Sequence, residues 1–226
     1  MDFSFLPKYY MFFLDGAKIT LILSFFTVIL GVVLGVSLAL MRMSRIWPLK
    51  IFATSYIEFI RGTPLLVQLF IIYYGLPQIG ITFPEVPGFG SAFPDFMAAV
   101  LTLSINSAAY IAELFRAGIQ AIDKGQMEAA RSLGMPHSMA MRYIILPQAL
   151  RNVLPALGNE FIVVIKESSI VSVIGIGELM YKADTVRGNT FQPFGPLLVA
   201  ALIYFVMTFT LSKLLGVAER RMRTSD

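Results

Sequence analysis

The chain has 226 residues, of which 57% are hydrophobic and only 14% charged, with no cysteine, a net charge of +4 and a mean hydropathy of +0.74. Soluble domains sit near about 45–50% apolar and about 25% charged, and a globule of 25.1 kDa is too small to bury the surplus apolar surface. A disordered chain, a disulfide scaffold and a soluble nucleic-acid binder all fit this composition poorly, which leaves an integral membrane protein.

A membrane-crossing helix takes about 20 apolar residues. Ile19 to Met41 is an uncharged run of 23 residues and predicts the first span. It is too long for a signal-peptide core and has no basic stretch hugging its start, so it reads as retained. The second predicted span runs from about Ile51 to Leu76 and carries Glu58 and Arg61. The third runs from about Pro94 to Arg116, followed by a polar stretch from Ala117 to Tyr143. The fourth starts at Pro147 and reaches about Ile174, interrupted by Asn159, Glu160, Lys166 and Glu167. The fifth covers roughly Pro193 to Leu215. The expected fold is thus one all-α integral membrane domain over residues 1–226, with five transmembrane helices and the termini on opposite sides.

Basic residues set the orientation. With the N-terminus outside, the inner segments and adjoining span ends hold Arg42, Arg45, Lys50, Arg116, Lys124, Arg131, Arg142, Arg151, Arg220, Arg221 and Arg223. The outer segments hold Lys8, Lys18, Lys182 and Arg187. Eleven against four predicts an outside N-terminus and a cytoplasmic C-terminus. The outer loop between Gln78 and Phe93 contains Pro84, Pro87, Gly88 and Gly90 and is expected to be irregular.

The longest inner segment contains Gly125-Gln-Met-Glu-Ala-Ala-Arg-Ser-Leu-Gly134. Glu128, Ala129 and Ala130 favour helix, and Gly134 followed by Pro136 stops it. A short helix of two or three turns is expected, with a second starting at Pro136 and ending before Pro147. Glu128 and Arg131 lie one turn apart on one face, and the two alanines allow another surface to approach closely. By spacing alone the segment serves equally as an amphipathic connector on lipid headgroups.

Glu128-Ala129-Ala130, Gly134, Ile144 and Leu146-Pro147, at these intervals, resemble the EAA loop of bacterial ABC-importer permease subunits. Other stretches resemble the polar amino-acid branch of those permeases, the histidine, arginine, glutamine, glutamate and cystine type. They are Phe59-Ile-Arg-Gly-Thr-Pro-Leu-Leu66, Ile105-Asn-Ser-Ala-Ala-Tyr-Ile-Ala-Glu113, Gly118-Ile-Gln, Leu157-Gly-Asn-Glu160 and Lys166-Glu-Ser. The resemblance implies a pair of permeases (a homodimer, or a heterodimer with a related chain) in the bacterial cytoplasmic membrane. It also implies an ATP-binding cassette ATPase subunit below and an extracytoplasmic amino-acid-binding protein above. The EAA segment, about residues 118–147, would be the coupling helix seated in the ATPase, with Glu128, Ala129, Ala130, Arg131, Gly134 and Pro147 at the contact. The chain has no Gly-x-x-x-x-Gly-Lys-Ser/Thr. Catalysis, with its ATP and magnesium, is therefore expected on the partner, and no cofactor on this chain.

Charged residues inside a span face a bundle interior or a water-filled cavity. At ~1.5 Å per residue, Arg61 lies about 15 Å into the second span, Asn106 about 18 Å into the third and Glu160 about 20 Å into the fourth. All three depths fall near the middle of a ~30 Å hydrocarbon core. Glu58 and Arg61 either neutralise each other at i,i+3 or leave Arg61 to line a path and hold a carboxylate. Pro64 frees the Ile60 carbonyl, which marks either a simple kink or a broken helix of the transporter kind. Asn159 and Glu160 have no basic neighbour one turn away. Glu160 is expected to meet the cationic group of an amino acid, or to bridge to Arg61 or to a second copy. Asn106 and Ser107 either bind substrate or hydrogen-bond between helices. Lys166, Glu167 and Ser168 are expected at a bend, in a gate or a dimer contact, and Glu113 with Arg116 forms a headgroup-level pair.

Two rivals remain. A membrane enzyme lacks the means: the only histidine, His137, lies in the inner loop, no His/Cys cluster offers a metal site, and Asp95 and Asp184 are peripheral. A stand-alone secondary carrier or channel is the alternative function. Five spans are few for a carrier, inverted repeats are not visible, and neither class uses a coupling helix.

Overall fold

The computed structural model describes residues 3–85 and 92–223, with side chains to residue 221. Pro87, Gly88 and Gly90 of the expected irregular loop lie outside the described residues. The chain order is α1 (Leu6–Met43), α2 (Trp47–Arg61), α3 (Leu65–Phe70), a π-helical turn (Ile71–Gly75), α4 (Leu76–Gln78), α5 (Phe93–Gln120), α6 (Lys124–Ser132) and α7 (His137–Ala140). It continues with a second π turn (Met141–Ile145), α8 (Leu146–Glu167), a 3₁₀ segment (Ser168–Ile174), α9 (Leu179–Thr190) and α10 (Gly195–Arg223). No strand occurs among the described residues.

Three of these helices are long and apolar enough to cross a membrane: Leu6–Met43, Phe93–Gln120 and Gly195–Arg221. A fourth crossing is available if α2 and Leu65–Gln78 act together, although they meet at 108°. At 22 residues, α8 is about 33 Å long. It carries Asn152, Asn159, Glu160, Lys166 and Glu167, so it does not reach the apolarity of the other three.

At 38 residues, α1 is about 57 Å long, well beyond the Ile19–Met41 run. Its apolar surface covers the whole circumference, so composition alone assigns it no inward face. What faces inward is a line of small residues, Gly16, Thr20, Ser24, Thr27, Gly31 and Gly35. Their three- and four-residue spacing keeps them on one side, and small side chains let helix backbones approach closely in a membrane. A Cβ at Gly31 would sit 3.4 Å from Ser107, and one at Gly35 would sit 2.7 Å from Ile111. The Ser104 hydroxyl donates to the Val100 carbonyl of its own helix at 2.6 Å and lies 3.1 Å from the Thr27 carbonyl of α1, so the two helices meet closely there.

Three buried clusters follow α1 along its length. Near its C-terminal end Leu38 and Ala39 pack with Ala53, Ile57 and Ile60 of α2 and with Ala108, Ala109 and Ala112 of α5. In the middle Leu23 meets Leu69, Ala99, Leu103 and Val171. At the other end Phe5 and Phe13 pack with Leu179, Ala183 and Val186 of α9 and Ala200 of α10. The extra length of α1 is thus spent on α9, a 12-residue helix too short and polar to register as a span.

Glu178 caps α9 and binds three elements together. Its carboxylate accepts from the amides of Met180 (2.9 Å) and Tyr181 (2.7 Å) and from the Tyr204 hydroxyl of α10 (2.8 Å). Thr20 of α1 donates to it at 3.5 Å and accepts the Leu179 amide at 3.2 Å. Glu178 is fully buried. Glu178→Ala removes an N-cap and strands the donors around it, each effect costing about 1–2 kcal/mol. The detergent-solubilised protein is expected to melt roughly 5–10 °C lower, and an unchanged melting curve counts against this junction.

Candidate functional site

The break after α2 follows from its residues. Pro64 supplies no N–H, and α2 stops at Arg61. Carbonyls freed at a helix end need partners, above all in a membrane. Gly62 donates its amide to Glu58 at 2.9 Å, and the Thr63 hydroxyl donates to Phe59 at 2.9 Å. The Ile60 carbonyl, whose release Pro64 predicts, accepts Nε2 of Gln68 at 2.8 Å. Gln68 was not singled out from the sequence. Its one signal is a polar residue four positions after Pro64 in an apolar run.

From this break a polar chain crosses α5. The Gln68 Oε1 atom accepts Nδ2 of Asn106 at 2.9 Å. The next residue, Ser107, donates to Oε1 of Glu160 on α8 at 2.8 Å. Gln68, Asn106, Ser107 and Glu160 are all buried. Asn106 and Ser107 therefore do make helix-to-helix hydrogen bonds, and Glu160 finds a hydroxyl rather than Arg61. Asn159 is exposed beside it.

Glu58 and Arg61 turn to different neighbours instead of each other. Glu58 lies 4.0 Å from Arg42 of α1, and the Arg61 guanidinium stands 5.6 Å from the ring centre of Tyr110 on α5. Arg61 and Tyr110 are exposed, and Tyr110 is one turn from Asn106, on the same face of α5. Arg42 also bonds Glu113, which receives Nη2 of Arg116 at 2.7 Å and its Nε at 2.9 Å. The expected Glu113–Arg116 pair exists, enlarged by α1.

α6 is a separately capped unit of nine residues. The Asp123 side chain accepts the Gly125 amide at 2.6 Å. At the other end Gly134 has φ +85°, a left-handed conformation that suits glycine. The Gly134 amide bonds Arg131 at 3.0 Å and the Met135 amide bonds Ala130 at 3.1 Å, the two bonds of a Schellman stop. Arg131 donates to the Met135 carbonyl at 3.1 Å and reinforces that stop. Ala130 is buried, whereas Glu128, Ala129 and Arg131 are exposed.

The helix begun at His137 was expected to end before Pro147. It runs instead through the π turn Met141–Ile145 into α8, with Pro147 in the first turn of α8. A proline inside a continuous helix removes one backbone N–H and crowds the preceding turn, and the π turn Met141–Ile145 lies directly before it, where the helix absorbs that misfit. At its far end α8 stops at Glu167, and Ser168 begins the 3₁₀ segment that Gly175 terminates. Lys166 is exposed, Glu167 half-buried and Ser168 buried, with its hydroxyl on the Ile165 carbonyl at 2.8 Å. A groove of about 770 Å³ between α1 and α10 is lined by Leu14, Ala17, Leu21, Val199, Ile203 and Met207, among others. Apart from Lys18, its walls are apolar and offer an amino acid no partner. No cluster of potential metal ligands occurs among the described residues.

The family of binding-protein-dependent transport system inner membrane components matches residues 31–224. The chain belongs to this family. It is 42% identical over 226 residues to the arginine transport system permease protein ArtQ of Bacillus subtilis, covering 100% of this chain and 99% of the relative. It is also 42% identical to a putative glutamine transport system permease protein, GlnP, of Rickettsia bellii, over 98% of this chain and 97% of the relative. A solved amino acid ABC transporter chain superimposes with a TM-score of 0.90 at 56% identity, over 98% of this chain and 99% of that one. A chain of the inward-facing MetNI methionine ABC transporter shares the fold at a TM-score of 0.74 and 19% identity, over 98% and 99% of the two chains.

This permease is therefore a multi-pass inner-membrane component of an ABC importer, a transport component rather than a catalyst. That decides against a stand-alone carrier. The family also implies an ATPase partner, a substrate-binding protein and a second permease.

Proposed function

We propose that the permease translocates a polar amino acid by alternating access, driven by ATP hydrolysis on a separate subunit. The single observation that carries this reading is the polar chain from the α2–α3 break through Asn106 and Ser107 to Glu160, beside the exposed Arg61. Buried polar groups in a membrane protein are costly and mark solute pathways. Arg61 meets the substrate carboxylate, and Glu160, Asn159, Asn106 and Ser107 meet its N–H groups. Glu58 holds the inner end of the path through Arg42. Names of the relatives, arginine and glutamine permeases, support an amino acid as cargo.

Five crossings, including α8, with the N-terminus outside and the C-terminus cytoplasmic, agree with the eleven-to-four distribution of basic residues. In that orientation α6 lies inside, the position the ATPase needs. It acts as the coupling helix within the single permease domain, and residues 118–147 form its lever. Glu128, Ala129 and Arg131 form the docking face, with Gly134 and Pro147 fixing the two ends of the lever. Lys166, Glu167 and Ser168 mark the outer bend at a gate or a contact with the second permease. ATP and magnesium reside on the ATPase, and an extracytoplasmic binding protein delivers the substrate.

The test is ATP-dependent uptake by proteoliposomes holding permease, ATPase and binding protein, across the twenty amino acids and cystine. Uptake is expected only with all components present. Uptake by the permease alone down an ion gradient overturns the reading. Within the same system Glu160→Ala is expected to lower uptake about 10–30-fold, the worth of a charged hydrogen bond. Full activity of that variant removes Glu160 from the path.

A further inference from the structure

A backbone carbonyl accepts hydrogen bonds and never donates them. That fixes the sense of the Gln68 carboxamide. Its nitrogen points at the Ile60 carbonyl (2.8 Å) and the Thr63 carbonyl (3.1 Å), with the Thr63 hydroxyl at 2.9 Å. Turning the amide over would set its oxygen against two carbonyl oxygens. Oε1 must therefore face the other way, where Nδ2 of Asn106 reaches it at 2.9 Å. The constraint passes on. Asn106 commits one N–H of its NH2 to Gln68, which fixes the sense of its own carboxamide and turns the carbonyl oxygen, an acceptor, away from Gln68.

We propose that Gln68 is a positioning residue for transport, holding the Asn106 carboxamide in one sense so that its carbonyl oxygen, an acceptor, is the end turned away from Gln68 and toward the path. Asn106 shares a face of α5 with Tyr110, over which Arg61 is stacked. Arg61 supplies donors for a carboxylate there, and the Asn106 oxygen supplies the acceptor for an ammonium group. The pair suits the zwitterionic head that every amino acid carries. Gln68 also ties this polarity to the helix break, because the carbonyls that orient it are those released or exposed at Pro64. The inference rests on the proposed path through Asn106.

Uptake by the complete transporter in proteoliposomes tests it with Gln68→Met, Asn106→Ala and both together. Methionine keeps the side-chain length and removes both hydrogen-bonding groups. Each single variant is expected to lose about tenfold in uptake, and the double variant is expected to be no worse than Asn106→Ala. Residues that act through one another are non-additive, whereas a general weakening of the fold multiplies the losses to about a hundredfold. Multiplied losses overturn the proposal. So does full uptake by Gln68→Met when Asn106→Ala is impaired. Full uptake by Asn106→Ala is a different result, which removes the path reading itself and this inference with it.

If Gln68→Met does not assemble, Asn106→Asp answers the same question. A carboxylate oxygen would then face the locked Gln68 oxygen, and uptake is expected to fall at least about tenfold. Unimpaired uptake means that Gln68 turns freely and overturns the proposal.

Discussion

Ala129→Trp is expected to lower ATP-driven uptake by at least about 30-fold while leaving the permease folded. Ala129 is exposed on α6, and on the proposed reading this face seats in the ATPase. A bulky side chain there wedges the two surfaces apart. Losses at the centre of a protein interface reach about 2 kcal/mol or more, which is about 30-fold in an equilibrium. The neighbouring alanine supplies the contrast. Ala130 is 2% exposed, and its carbonyl holds the Met135 amide in the helix stop. Ala130→Trp therefore attacks the lever's own packing and is expected to lower its melting temperature as well. The measurements are uptake, co-purification of the ATPase and thermal melting. Normal uptake with Ala129→Trp means that this face touches no motor.

Gly35→Leu is expected to abolish the folded permease. The α1–α5 contact is so close at this point that a Cβ alone would lie 2.7 Å from Cγ2 of Ile111, 2.8 Å from its Cβ and 2.9 Å from the Ala108 carbonyl. Ile111 is fully buried and has nowhere to retreat. Overpacking of this kind costs about 3 kcal/mol, or more where the backbone itself must shift. Partial rescue is expected when Ile111→Ala is added, because that substitution opens space where the leucine must go. Folded material is measured by size-exclusion of solubilised membranes and by resistance to protease. A well-folded Gly35→Leu variant, indistinguishable from the parent, contradicts the packing described for α1.

How much of this was legible beforehand differs from residue to residue. The break at Pro64 was, because a missing N–H is a property of the residue and acts on the carbonyl four positions back. That Gln68 satisfies this carbonyl was not, since the reach depends on the 108° turn between α2 and the segment after it. The need of Glu160 for a partner followed from its surroundings of apolar residues, yet nothing local pointed to Ser107 over Arg61. Glu58 and Arg61 show the opposite failure. Their i,i+3 spacing allowed a pair, but Arg42 and Tyr110 on neighbouring helices stand closer to where each side chain points. Glu178 and α9 were passed over because a short polar helix carries neither the length nor the apolarity of a span.

Composition and local pattern by themselves determined that the chain lives in a membrane, that a helix breaks at Pro64, and that a capped helix ending at Gly134 stands between α5 and α8. These are short-range matters of hydropathy, proline chemistry and left-handed backbone. Only the tertiary structure decided which polar groups meet. Asn106 and Gln68 are 38 positions apart, Ser107 and Glu160 are 53, and Thr20 and Glu178 are 158. A hydrogen bond in an apolar medium is made with whatever helix packs alongside, and in α1 that choice rests on a line of small residues whose partner no sequence spacing reveals.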